Sequence, residues 1–153
     1  MTVLANVPLW VWPLFVLLLI VGLRATRPRR APLALVLALP LLGVLSLRSL
    51  STLPDPMIVW PIWAIAILLG TALGHRLQTR WLISRDGPWL QLRGEWLTLA
   101  TAMLIFWSNF AGGVMRVLAA DALSGAPFQT GFALVLGLCA GTFLGRAIRS
   151  FRA

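Results

Sequence analysis

Five apolar runs, at residues 7–23, 31–47, 57–73, 96–115 and 128–145, take up more than half of this 153-residue chain, and only short linkers separate them. Crossing a bilayer core about 30 Å thick takes roughly 20 apolar residues, within a range of about 17–25, so each run is long enough to span one. In lipid every backbone amide has to be paired inside the protein, which makes helices the expected form. None of the runs shows the alternation of a membrane barrel. With 59% hydrophobic and 11% charged residues, against about 45–50% and about 25% in soluble domains, a water-soluble fold would expose too much apolar surface.

The thirteen basic residues are all arginine, and eleven of them fall within residues 24–30, 76–93 and 146–152. Inner loops of membrane proteins are enriched in Lys and Arg. With five crossings the three clusters share one side, and only Arg48 and Arg116 remain on the other. If the second run, which contains Pro40, only dipped into the bilayer, six arginines would lie inside against seven outside. The asymmetry would vanish, so five crossings are expected, with the amino terminus outside and the carboxyl terminus inside. Tryptophan, which favours both interfaces, agrees. Trp10, Trp12, Trp60 and Trp63 fall towards outer ends, Trp81, Trp89 and Trp96 fall at the inner face, and Trp107 sits mid-span. The first run lacks a charged leader segment and is followed at once by arginines, so it reads as a retained helix and not a signal peptide.

The expected fold is therefore an all-α membrane protein, a single-domain five-transmembrane-helix bundle. One non-helical element interrupts it. Residues 81–95 contain Asp86-Gly87 and the alternating Leu90-Gln91-Leu92-Arg93, which suggests a short cytoplasmic hairpin anchored by Trp81 and Trp89, with a plain loop as the alternative. Pro88 removes a ladder donor, so such a hairpin has to be small.

A net charge of +9 raises the question of nucleic acid. That partner needs a basic stripe on a soluble face, whereas these arginines punctuate apolar spans. The expected partners are the bilayer and anionic headgroups at the inner face. One cysteine, Cys139, and one histidine, His75, leave no thiol pair and no multi-histidine metal set. The four acids, Asp55, Asp86, Glu95 and Asp121, fall in loops or at helix ends. Glu95 and His75 share the inner surface without forming a specific catalytic signature. No nucleophile elbow, zinc motif or phosphate loop is present. No catalytic, cofactor or metal residues are expected.

Two groups of residues invite contact. Gly137, Gly141 and Gly145 recur every fourth residue, and Ala133 extends their face. Small residues at this spacing let helix backbones approach closely, either between two copies of the chain or against another helix of the same chain. Ser108, Asn109 and Arg116 place polar groups on the fourth span, where such groups are costly and are candidates for function. Arg116 has Asp121 or Asp55 as possible partners, and Asn109 has a substrate or a neighbouring helix. Asn109, Arg116 and the unexplained Arg48 form the possible polar site.

The segments Pro8-Leu-Trp-Val-Trp-Pro13, Gly22-Leu-Arg-Ala-Thr-Arg-Pro-Arg-Arg30, Gly94-Glu-Trp-Leu and the closing Leu144-Gly-Arg146 resemble a group of bacterial inner-membrane proteins with no assigned activity. The chain is more distantly similar to the CcdC-like membrane proteins, which also link helices with a short Asp-Gly element. The resemblance implies a multi-pass inner-membrane location and brings no catalytic residues. The functional expectation is a non-enzymatic helix-packing oligomer or accessory subunit of a membrane complex. The alternative is a small oligomeric transporter or channel that uses the polar groups of the fourth span.

Overall fold

The computed structural model describes Leu9 and residues 11–152. Trp10 and the first residues of the run at 7–23 lie outside the described residues. The chain forms α1 (Val11–Ala25), β1 (Arg29–Pro32), α2 (Leu33–Ala38), α3 (Leu41–Leu50), α4 (Pro56–Trp81), β2 (Leu82–Asp86), β3 (Trp89–Leu92), α5 (Leu97–Leu118), a four-residue α6 (Ala120–Leu123) and α7 (Ala126–Phe151). Four stretches are long and apolar enough to cross a membrane: Leu33–Leu50, α4, α5 and α7. The described part of α1 is a shorter apolar helix.

The expected second span, 31–47, is displaced and broken. Its first residues belong to β1, and the helix is interrupted at Leu39 and Pro40 before α3 carries on to Leu50. Pro40 has no amide hydrogen to donate, and its ring clashes with the carbonyl four residues back. Turn bonds from the Leu42 and Gly43 amides to Leu39 and Pro40 carry the chain across the break. The two halves still form one traverse of the bundle.

α4 and α7 outrun the expected 57–73 and 128–145. Each has 26 residues, or about 39 Å of helix, longer than a hydrocarbon core of about 30 Å. They run parallel and in close contact, because glycines line both sides of the seam. A Cβ at Gly141 would fall on the Ile67 carbonyl, one at Gly145 on that of Thr71, and one at Gly74 on that of Thr142. Thr71 and Thr142 lie in this seam, and their hydroxyls donate to the carbonyls of Ile67 and Leu138 one turn back, so no polar group is stranded there. The glycine ladder thus lies against α4 of the same chain. α7 is the central helix, with Phe132, Ala133, Leu136, Gly137, Ala140 and Phe143 all buried.

The other helices pack around α7. Gly43 of α3 lies against Ala140, and Gly112 of α5 lies under the Phe132 ring. α1 rests on α5 through Gly22 against Leu99 and through the Phe15 and Phe106 rings, whose centroids are 5.1 Å apart. The opposite face of α4 exposes Ile65, Leu68, Leu69 and Leu73, a long apolar surface that no other described helix covers.

The hairpin expected within residues 81–95 is present and gains a third strand. Gly87 has φ of 57°, as the first central position of a primed two-residue turn requires, and Pro88 fills the second, where its lack of a donor does no harm. β2 and β3 are antiparallel, with Asp86 opposite Trp89, and a register irregularity lies between Leu82 and Ser84. β1 pairs with the free edge of β3, Arg29 opposite Leu92 and Pro32 opposite Trp89, which gives the order β1-β3-β2. The strand corrects the all-α expectation, in which these arginines formed a bare linker. Ala31, Leu90 and Leu92 on the inner face of the sheet pack on Val36 of α2.

The seam predicts a contrast between two glycines of α7. Gly145→Ala should lower stability by about 1–3 kcal/mol through backbone overlap. Gly131→Ala, where the added Cβ meets nothing within 4 Å, should be neutral or stabilising by up to about 1 kcal/mol. Thermal unfolding in detergent measures both.

Candidate functional site

At the sheet end of the bundle, α1, α4, α7 and the corner between β3 and α5 converge on a group of buried polar residues. Arg146 of α7 is only 1% exposed. Its Nη2 donates to the Glu95 carboxylate at 2.8 Å, Nη1 to the Thr98 hydroxyl at 2.7 Å, and Nε to the Gln78 side-chain carbonyl at 2.9 Å. The guanidinium also lies over the Trp81 ring, 5.4 Å from its centroid, a cation–π arrangement. Glu95 accepts the Thr98 amide at 2.8 Å and the Thr98 hydroxyl as well, so the carboxylate caps the start of α5. The Gln78 amide nitrogen donates to the Ser150 hydroxyl at 2.9 Å.

Helical spacing explains how these groups meet. Gly70, Gly74 and Gln78 recur every fourth residue on α4, and Thr142, Arg146 and Ser150 do so on α7. The glycine seam that brings the two backbones together therefore continues, at its sheet end, into a polar seam. Gly94 lets the chain fold tightly here, since a Cβ on it would strike the Thr26 carbonyl. The Glu95 amide then bonds to the Ala25 carbonyl at 2.8 Å and ties in the end of α1. Arg29 donates to the Val21 carbonyl at 3.2 Å. Burial lowers the Arg29 guanidinium from its ordinary pKa, and the nearby Glu95 carboxylate opposes that shift.

Two sequence expectations change at this end. Arg146, counted among the headgroup arginines, is buried in an ion pair. Trp81, expected to anchor the hairpin in headgroups, stacks on that arginine. Glu95 pairs with Arg146 and not with His75. Gln78, Thr98 and Ser150 were missed, although the every-fourth-residue rows that contain Gln78 and Ser150 were visible. Arg149 is half-buried, while Arg24, Arg27, Arg30, Arg76, Arg80, Arg85, Arg93 and Arg152 are exposed around the same end. Arg85 also bonds the Phe151 carbonyl at 2.8 Å.

The opposite end carries the polar residues singled out in the sequence. Asn109 of α5 donates to the Ile105 carbonyl at 2.8 Å and to the Ser46 hydroxyl at 3.4 Å, and accepts from the Ser49 hydroxyl at 2.6 Å. Two turns further on, Arg116 donates to the Ser49 carbonyl at 3.1 Å. The structure thus brings Asn109 and Arg116 together on one face, and both are occupied by α3. Arg48 is exposed and does not join them. Asp55 partners Gln129, with the Gln129 amide at 3.0 Å from its carboxylate, and Glu95–Arg146 is the one ion pair among the described residues. Ser108 is half-buried on the same helix. Trp63 Nε1 is the one buried side-chain polar atom without a hydrogen-bond partner among the described residues.

Chemically, the sheet-end group holds a charge pair in place, and the far-end group holds α3 to α5. No protein-family model, curated protein or solved structure matches this chain.

The ion pair predicts that Glu95→Gln will destabilise the protein by about 3–5 kcal/mol, because it strands a buried guanidinium. Thermal or denaturant unfolding in detergent or lipid discs provides the measurement.

Proposed function

We propose that this is a multi-pass integral protein of the bacterial inner membrane, with five crossings, the amino terminus outside and the carboxyl terminus inside. It acts as a non-enzymatic helix-packing oligomer or accessory subunit. The observation that carries this reading is the gathering of three sequence-distant arginine clusters at one end of the helices, around the sheet. Four stretches run from end to end, α2 with α3 outward, α4 inward, α5 outward and α7 inward, and the described part of α1 runs inward beside α5. The two arginines outside the clusters fall near the other end. Such an arrangement suits an inner face bearing the positive charge and drawing anionic headgroups to it.

Support for an accessory role comes from where the polar groups are used. Asn109, Arg116, Gln78, Thr98, Glu95 and Arg146 bond to other helices of the same chain, which favours helix packing over a transport path built from them. The glycine face is filled by α4, so contact with another copy or another subunit falls to outward faces. α5 presents Leu104 and Trp107 there, 48% and 52% exposed. Trp107 lies mid-helix, away from the interfaces that tryptophan favours, and its ring is packed edge-on against Phe15, Phe106 and Phe110.

Reporter fusions after Leu53 and Asp121 should read as periplasmic, and fusions after Arg30 and Gly87 as cytoplasmic. A cytoplasmic signal after Leu53 would contradict five crossings. Purification in native lipid discs should recover the chain with a stoichiometric copy or membrane partner, and Trp107→Ala should reduce that recovery. A monomer with no co-purifying protein would remove the accessory role.

A further inference from the structure

The open side of the sheet carries a pocket that neither polar group uses. Arg30, Asp86, Trp89 and Gln91 line a depression of about 210 Å³, below the roughly 300–1,000 Å³ of sites for drug-sized ligands. Strand register accounts for its composition. Arg30 stands opposite Gln91, and Asp86 stands opposite Trp89. Side chains alternate between faces, so these four share the open face while Ala31, Leu90 and Leu92 point inward. β3 lies between β1 and β2, so the guanidinium and the carboxylate approach from opposite edges, two strand spacings of about 4.8 Å apart. Among the described residues none of the four side chains makes a hydrogen bond, and Arg30 and Asp86 are not paired with each other.

A lone anion would be repelled by Asp86, and a lone cation by Arg30. A ligand that satisfies both rims carries a negative and a positive group a few ångströms apart. Guanidinium is suited to two-point contact with phosphate. A carboxylate beside an indole face suits an ammonium, and the Gln91 amide can donate or accept. The pocket also sits where lipid headgroups would lie. The Leu33 amide at the start of α2 bonds to the Pro88 carbonyl at 2.8 Å, so an apolar helix begins directly beside it, and the Trp89 ring in its lining is exposed.

We propose that this pocket binds a phosphoryl–ammonium zwitterion, the headgroup chemistry of phosphatidylethanolamine. The lipid source of the ligand rests on the membrane placement above, whereas the pocket chemistry does not.

The test uses the full chain in mild detergent, with bound lipid read by native mass spectrometry after exposure to equal amounts of phosphatidylethanolamine and phosphatidylglycerol. Arg30→Gln and Asp86→Asn should each reduce retained phosphatidylethanolamine by about tenfold, as loss of one charged contact implies, while Asp86→Asn should not diminish the phosphatidylglycerol drawn by the other exposed arginines of this end. Both side chains are exposed, so unchanged unfolding midpoints would show that the variants remain folded. Glycerophosphoethanolamine added to lipid-free protein forms the second arm. Binding of the soluble compound but not the lipid, with the same sensitivity to both variants, assigns the chemistry to a free ligand. Retention of phosphatidylethanolamine indifferent to both substitutions, with no binding of the soluble compound, overturns the site. Release of the chain from membranes by a carbonate wash would overturn the membrane placement alone, and the soluble arm would still judge the pocket.

Discussion

An arginine and a glutamate buried at one end of an apolar helix bundle constrain much of this structure. A charge there is tolerated only when paired and hydrogen-bonded, and Arg146 meets that condition by drawing on two other parts of the chain. Glu95 and Thr98 come from the start of α5, and Gln78 and Trp81 come from the end of α4. Ala25 of α1 is held by the Glu95 amide. Such a pair adds little net stability over a well-packed apolar replacement, but breaking it by removing one partner is costly. The pair therefore specifies which helix ends meet. The glycine seam is its precondition, since only closely approaching α4 and α7 backbones put Gln78 within reach of both Arg146 and Ser150.

The parts of the fold visible in the sequence are those written locally. Hydropathy is a property of consecutive residues, and it locates the apolar helices to within a few residues at most ends. The Gly87-Pro88 turn is equally local, because its backbone geometry is set by two adjacent residues. β1 was not legible for the opposite reason. Arg29, Arg30, Ala31 and Pro32 have no strand character of their own, and they become a strand only because β3, some sixty residues away, offers an unpaired edge. The break at Pro40 was signalled by the proline, but not the continuation of the traverse to Leu50.

The site divides in the same way. Arginine position along the chain revealed a shared end, yet it gave Arg146 the same status as its exposed neighbours Arg85 and Arg152. The difference lies in phase. Arg146 falls one residue after Gly145 and on the row of Thr142 and Ser150, so it turns inward, whereas Arg152 lies beyond the last turn of the helix. At the far end, Asn109 and Arg116 were recognised as polar groups in apolar surroundings, but their partner α3 could not be named from sequence. Of its hydroxyls, Ser46 sits in a run that reads simply as hydrophobic, and Ser49 falls just past the end expected for that run.

A double-mutant cycle on Glu95→Gln and Arg146→Met, with unfolding free energies measured in lipid discs, tests this account most directly. Residues of one buried network commonly couple by about 0.5–3 kcal/mol. The double variant should be markedly less destabilised than the sum of the singles, because the second change removes the charge the first one strands. Simple additivity of the two losses would show that the buried pair does not hold the helix ends together.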